Sequence, residues 1–418
     1  MSELVPKDKT IDNSLALLKE GYLFIQNRCR RYNSDIFETR LMGQKVICIS
    51  GEEAASVFYD PDKFQRKGAA PKRVQKTLFG VNAIQTMDGE EHHHRKALFM
   101  GLMTPERIEE LGNLTRTQWK AASKRWGKED KIVLFEEAQD LLCKVACEWA
   151  GVPLKEEEIR ERAQDFTDMV DAFGAVGPRF WRGKMARSRE EKWVEGIIED
   201  IRKGELMPRE GSAAHAMAWH KNLDGKHMES RMAAVELINI IRPIVAIATY
   251  IAYGALALQY PESRKKLHTG DQEYLKMFVQ EVRRYYPFGP FLGARVREDF
   301  SWRGEHFEKG TLVLLDVYGT NHDPRLWENP GKFNPERFHG WKGGMFDLIP
   351  QGGGDYHTGH RCAGEQVTIE IMKVSIEHLA KDLQYEIRED EQDISFSMVR
   401  MPSRPESGVV LRNIRFLQ

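Results

Sequence analysis

The chain has 418 residues, of which 62 are Lys or Arg and 63 Asp or Glu, for a formal net charge of -1. With 41% hydrophobic and 30% charged residues it has an ordinary globular composition, and it lacks the basic excess of a nucleic-acid binder. The first fifteen residues, MSELVPKDKTIDNSL, carry no apolar signal core or anchor, and five cysteines in so long a chain make no disulfide framework. A reducing, cytoplasmic setting is expected.

In chain order, the first third mixes short strands and helices. QKVICIS (44–50) reads as a strand and GEEAASVFY (51–59) as the helix after it. DGEEHHHRKALFMGLM (88–103) reads as a helix starting at Asp88 and Gly89, with Glu90 and Glu91 in the first turn, where the dipole favours acids. His92, His93 and His94 make a poor metal site, because successive helix positions point about 100° apart. VLFEEAQDLLCKVACEWAGV (133–152) is helical and ends at a Gly followed by Pro153. Cys143 and Cys147 share a face there and read as buried free thiols rather than a metal pair. The stretch 160–205 is helix again, broken near Gly174–Pro178. Its segment Arg179–Lys192 holds six Lys or Arg and reads as a solvated face, with attraction of lipid anions or lipid surfaces as the alternative.

From Leu237 to Leu258 the only charged residue is Arg242, so the stretch imitates a membrane span. Asn239, Arg242, Pro243 and Thr249 interrupt it, and no second such stretch exists. It reads as the central helix of a large domain, buried on all sides, and no transmembrane segment is expected. A buried unpaired guanidinium is very costly, so Arg242 needs an anion, from the protein, a cofactor or a ligand. Pro243 predicts a local distortion that can open a pocket.

DQEYLKMFVQEVRRYY (271–286) is a helix that stops at Pro287. FSWRGEHFEKGTLVLLDV (300–317) reads as strands and turns, and NHDPRLWENPGKFNPERF (321–338) as a Pro-rich loop. The Gly-rich QGGGDYHTGHRCAGE (351–365) leads into the helix VTIEIMKVSIEHLAKDL (367–383), and the tail from Tyr385 is strand-like. With no repeats and no linker, the expectation is a single domain over 1–418, mainly α with a smaller β portion.

Cys362 in HRCAG (360–364) stands just before a helix, whose N-terminus stabilises a thiolate. The preceding glycines let a flat macrocycle approach the backbone. These residues alone leave a haem ligand, a nucleophile and a structural thiol open. A phosphate loop is excluded, because His360 and Arg361 stand where Lys and then Ser or Thr are needed. Glu281 and Arg284 are three apart, where helix side chains meet, and Arg337 in PERF (335–338) can complete a buried network.

Taken together, Glu281-Val282-Arg283-Arg284, Pro335-Glu336-Arg337-Phe338 and His360-Arg361-Cys362-Ala363-Gly364 resemble the signature series of the cytochromes P-450. The resemblance covers nearly the whole chain. It implies the cytochrome P-450 fold, with haem b buried between a large helical portion and a smaller β-sheet portion. It implies Cys362 as the axial thiolate on the iron and Glu281, Arg284 and Arg337 as a structural triad behind the haem. His92 and Lys96 resemble the pair that reaches a haem propionate, with Arg66 a further candidate. Two features depart from the pattern. The usual Phe and Gly ahead of the cysteine give way to the longer glycine stretch and Thr358. The acid–alcohol pair of the central helix is replaced by Ile241-Arg242-Pro243-Ile244.

Arg242-Pro243, GVNAIQ (80–85), DMVDAFGAVGPR (168–179) and YYPFGPFLGA (285–294) resemble the fatty-acid peroxygenase branch of that family. The resemblance implies that hydrogen peroxide is used directly, with no redox partner. It implies that Arg242 and Pro243 serve a long-chain fatty acid whose carboxylate supplies the missing general acid–base. Oxidation then falls at the α or β carbon. Phe79, Val170, Phe173, Phe288 and Phe291 match positions lining the acyl channel, with plain core packing as the alternative for each. Gln85 stands where decarboxylating relatives have histidine, so hydroxylation is expected with alkene as a minor product. The alternatives are a decarboxylase giving terminal alkenes, a reductase-fed monooxygenase, and a haem sensor that binds fatty acid without turnover.

Overall fold

The computed structural model describes residues 5–417. The helices that frame its interior are α1 (Gly89–Leu102), α2 (Leu134–Ala150), α3 (Ile159–Asp171), α4 (Pro178–Lys203), α5 (Ser230–Ala246), α6 (Ala248–Ala257), α7 (Gln272–Tyr285) and α8 (Glu365–Glu377). All overlap stretches expected to be helical, α5 and α6 sharing the single apolar run 237–258, and two stops fall at the expected residues. Gly151 ends α2 in the left-handed conformation. Pro287 follows the end of α7.

Helices α5 and α6 form the central rod. The stretch Ser230–Ala257 is long and apolar enough to cross a membrane, yet 83% of its most apolar window is buried inside the protein. α5 packs on α2 and α4, and α6 on α2, α7 and α8. Gly254 lets α6 and α8 meet closely, since a Cβ there would lie 2.1 Å from Ile376 Cδ1. The expected distortion is present but displaced: α5 runs through Pro243 and breaks at Ile247, whose N–H bonds Ile244 O at 3.1 Å instead of reaching back to residue 243. Proline's missing N–H frees the carbonyl one turn before it, and the ladder gives way one turn after it.

The β portion is smaller. A five-stranded sheet has the spatial order Ile36–Leu41, Gln44–Ser50, Leu312–Asp316, Phe291–Val296, Phe64–Gln65. Only the Gln44–Ser50 and Leu312–Asp316 pair is parallel, in the register Val46 to Leu312. Lys131–Val133, Val410–Phe416 and Leu383–Glu386 form a second sheet. This mainly helical architecture with a minor sheet portion is the expected fold class.

Two local expectations need correction. The last helix starts at Glu365, two residues early, and its final turn widens to a π turn over His378–Asp382. The tail is a strand only at its two ends, with irregular backbone and one short 3-10 turn between 387 and 409. α1 starts at Asp88 and Gly89 as expected, and the Asp88 carboxylate accepts the Arg66 and Lys67 N–H groups at 2.8 Å each.

Behind the central rod, Glu281 and Arg284 form a two-pronged pair at 2.6 and 2.8 Å, both fully buried. Arg337 Nε adds a third charge 3.1 Å from Glu281. The two guanidiniums also donate to the carbonyls of Asn321, Pro330, Glu328 and Lys332, so every charge is met. This network ties α7 to the loop before the cysteine. Arg284→Ala is expected to lower the unfolding free energy by about 3–5 kcal/mol in a denaturant titration, because it strands a buried carboxylate. Arg284→Lys should recover little, since an ammonium cannot reproduce the fork.

Candidate active site

The loop 351–364 delivers Cys362 to the start of α8. Gly352 and Gly354 take positive φ (89° and 81°), and a Cβ at either would press on Tyr59 (2.6 and 3.2 Å). The glycines are thus needed for turning and for packing on Tyr59. The Cys362 N–H bonds Gln351 O (3.1 Å), and Gln351 Nε2 lies 3.9 Å from the sulfur. Arg283, on α7, anchors the loop by donating to Gln351 Oε1 (2.9 Å) and Glu365 Oε1 (2.6 Å). Burial pushes the Cys362 thiol up. The Gly364 N–H, Lys96 and Arg283 pull it down, while Glu365 pushes it up. The positive end of α8 and two cations therefore act on the sulfur of a partly buried cysteine.

A second group of residues lies beside this loop. His92 and Lys96, one turn apart on α1, are both buried. The His92 ring stacks on His360 (3.9 Å between centroids), and Lys96 donates to the Arg361 carbonyl. Arg66 is buried over the rings of Phe58 (4.2 Å) and Tyr59 (5.2 Å), and among the described residues it makes no ion pair. Burial, then His360 and Lys96, push His92 down to about 3, so it is neutral at pH 7 in the protein alone. Against these four basic groups stands Asp88, 3.5 Å from His360 and already bonded to backbone. A largely buried cluster short of negative charge next to a partly buried thiol fits a flat cofactor with two carboxylates and a metal that takes sulfur, as haem b is. The neighbouring histidines go elsewhere: His93 meets His92 edge-on, and His94 bonds Lys221 O (2.8 Å). Cys143 and Cys147 are buried and free, as read.

Arg242 is the third component. It is 6% exposed, and its only side-chain hydrogen bond among the described residues runs from Nη2 to Asn239 Oδ1, a long 3.4 Å. Its Nε has no partner, and no carboxylate pairs with it. Burial pushes the guanidinium down to about 9, Arg187 pushes it the same way, and the Cys362 sulfur pulls it up. Arg242 and Cys362 are thus within electrostatic reach, and Arg242 is a buried cation awaiting an anion.

Of the proposed lining residues, Phe79 ends a π turn (Gln75–Phe79), and its carbonyl accepts from Asn239 Nδ2 (2.9 Å). Gln85 lies in the short turn Ile84–Thr86, with a buried Oε1 that has no partner. Val170 lines a small cavity with Thr167, Ala246 and Thr249. Ala246 is one helical turn on from Arg242, so this cavity lies along the Arg242 face of the rod. Phe288 stacks on Tyr250, one further turn along (4.8 Å). Phe173 sits in the turn after α3, its N–H bonded to Val170 O (3.1 Å). Phe291 opens a sheet strand and packs on the cluster containing Phe24, Phe37 and Leu314, which is the plain packing alternative.

Sequence reading missed Arg187, His360, Arg283, Glu236 and Asn239. Arg187 corrects the solvated-face reading of Arg179–Lys192: it is 2% exposed, pairs with Glu191 and donates to the Leu78 carbonyl at 3.1 Å. A signal was present, because Gly183, Arg187, Glu190 and Val194 share the inner face of α4 at helical spacing.

These parts fit a haem held through a cysteine thiolate, and comparison with known proteins agrees. The cytochrome P450 family model matches residues 268–410. The chain is similar to the structure of cytochrome P450EX alpha (CYP152N1) with myristic acid, 45% identical over 99% of this chain and 100% of that one, with a TM-score of 0.95. It is similar to a variant of cytochrome P450 OleT in complex with arachidonic acid, 40% identical over 99% of both chains, with a TM-score of 0.96. A more distant relative is protopanaxadiol 6-hydroxylase of Panax ginseng, 21% identical over 93% of this chain and 86% of that protein. The chain belongs to the cytochrome P450 family, in its CYP152 branch. It is accordingly an oxidoreductase whose cofactor is haem b, bound through a thiolate.

The unpaired guanidinium has a thermodynamic consequence. Arg242→Leu is expected to stabilise the substrate-free protein by about 1–2 kcal/mol in a denaturant titration, because it removes an uncompensated buried charge. A loss of several kcal/mol would instead mean that the charge is already matched within the protein.

Proposed function

We propose that the protein is a fatty-acid peroxygenase, which uses hydrogen peroxide to hydroxylate long-chain fatty acids at the α or β carbon. The observation that carries this is the buried Arg242 guanidinium, which the protein supplies with one long amide contact and no acid. The solved relatives with myristic and arachidonic acid support a fatty acid as the missing anion.

In this reading Cys362 would hold the haem iron through its thiolate, and Arg66, His92, Lys96 and His360 would receive the haem propionates. Bound there, the haem supplies the iron at which peroxide is split and an oxidant able to take hydrogen from carbon. Arg242 grips the substrate carboxylate with its fork of donors and keeps it ionised in a site closed to water. A carboxylate oxygen then takes a proton from peroxide and returns it to the departing oxygen, which is the general acid–base work the protein lacks. Pro243 replaces the residue that would carry a proton relay in an oxygen-activating relative. Phe79, Val170, Phe173 and Phe288 enclose the acyl chain, whereas Phe291 packs in the core beside the sheet. Clamping the head group leaves the α and β carbons nearest the reacting centre. Gln85 offers an amide where a histidine would favour loss of the carboxyl group. No redox partner is required, and the five free cysteines suit a cytoplasmic enzyme.

The test is the haem-loaded protein with palmitic acid and hydrogen peroxide, without reductase. Hydroxypalmitic acids are expected as the main product, with terminal alkene minor. Arg242→Ala should abolish the reaction, and Gln85→His should raise the alkene share. Predominant alkene from the wild type would make it a decarboxylase. Turnover only with NADPH and a reductase would make it an ordinary monooxygenase. A fatty-acid-induced spectral shift without any product would make it a sensor.

A further inference from the structure

Glu236, about one and two-thirds turns before Arg242, is fully buried. Its carboxylate is the meeting point of three separate parts of the site. Oε1 accepts from Arg95 Nη1 (2.8 Å) on α1, the helix that carries His92 and Lys96. The same oxygen accepts the Ile84 N–H (3.0 Å), next to Gln85. Oε2 accepts from Asn239 Nδ2 (3.1 Å), and that amide nitrogen also donates to Phe79 O (2.9 Å). Asn239 Oδ1 in turn accepts from Arg242. The Phe79–Gly80 backbone can reach this point because residue 80 has no side chain: a Cβ there would lie 2.4 Å from Val235 and 2.5 Å from Arg187.

The hydrogen-bond chemistry leaves one arrangement. Glu236 and the Phe79 carbonyl are both acceptors only, so Asn239 must turn its NH2 to them. Its oxygen must then face Arg242. We propose that Glu236 is a positioning residue: through Asn239 it aims the Arg242 guanidinium, and through Ile84 and Asn239 it holds the Phe79 and Gln85 segments at a fixed distance from it. The role rests on the fatty-acid reading above, and its consequence is that Glu236 sets which carbon of the clamped acid is oxidised.

Glu236→Gln exposes the role with almost no change of shape. If the new amide oxygen serves Arg95 and Ile84, its NH2 meets the Asn239 NH2, donor against donor. Turning Asn239 over relieves that clash but sets its oxygen against Phe79 O and removes the acceptor from Arg242. Every rotamer therefore leaves one buried group unmatched.

The experiment uses haem-loaded protein and palmitic acid, with three readouts: haem content, the dissociation constant from the acid-induced spectral shift, and the α-to-β ratio of hydroxy acids formed with peroxide. Glu236→Gln is expected to keep wild-type haem content, weaken binding about tenfold and shift the product ratio at least about threefold, as loss of a buried bond to a charged group implies. Loss of folded protein alone would lower yield without moving the ratio. Wild-type affinity and ratio in a haem-replete Glu236→Gln variant would overturn the proposal. Should that variant not take up haem, Asn239→Ala decides, because it cuts the link while leaving Glu236 bonded to Arg95 and Ile84. Weaker binding with an altered ratio supports the role, and unchanged values overturn it. Absence of any hydroxy acid from the wild type would instead sink the fatty-acid reading, and the positioning role with it.

Discussion

One positive charge inside an apolar helix organises this molecule. A guanidinium removed from water without a carboxylate is among the least favourable things a fold can contain. Other buried arginines here are met: Arg284 by Glu281, Arg283 by Glu365, Arg95 by Glu236, Arg187 by Glu191. Arg242 differs from these four; the other buried arginine without an acid among the described residues, Arg66, lies over the rings of Phe58 and Tyr59, whereas Arg242 sits in the apolar rod. In the proposed function the anion arrives with the substrate, so recognition and catalysis draw on the same deficit.

The surroundings keep that charge fixed while it waits. Asn239 gives it a weak partner, and Glu236 fixes the orientation of Asn239. Arg187 stiffens the opposite wall through the Leu78 and Phe79 carbonyls while raising the electrostatic need for an anion. Behind the rod, the Glu281, Arg284 and Arg337 network holds the segment that leads to the cysteine loop. In the proposed function, the Arg242 clamp on one side and the cysteine loop on the other would leave the substrate's first carbons between them, which is how a short list of charges would restrict where oxidation falls.

Much of this was legible in the chain. Helix ends followed Gly151 and Pro287, the paired charges at Glu281 and Arg284 met as spacing required, and the demand of Arg242 for an anion followed from burial alone. What escaped had identifiable physical reasons. Arg187 was one of six basic residues in a run, and only helical phase tells which of them turns inward. Glu236 lies one residue outside the apolar stretch, so its charge read as the edge of the rod and not as part of its core. The break at Ile247 was placed at Pro243, because the ring's local effect is predictable while the turn that yields depends on packing against α2, α7 and α8. The tail between 387 and 409 alternates weakly and has no pattern that separates strand from loop.

The central claim is that Arg242 is matched by a substrate carboxylate. It is tested most directly by comparing the dissociation constants of palmitic acid and its methyl ester for the haem-loaded protein, read from the spectral shift. The two ligands fill the same apolar space and differ in charge. The account predicts that the acid binds at least about tenfold more tightly, as expected for a charge-assisted bond in a dry site. Equal affinity would contradict it.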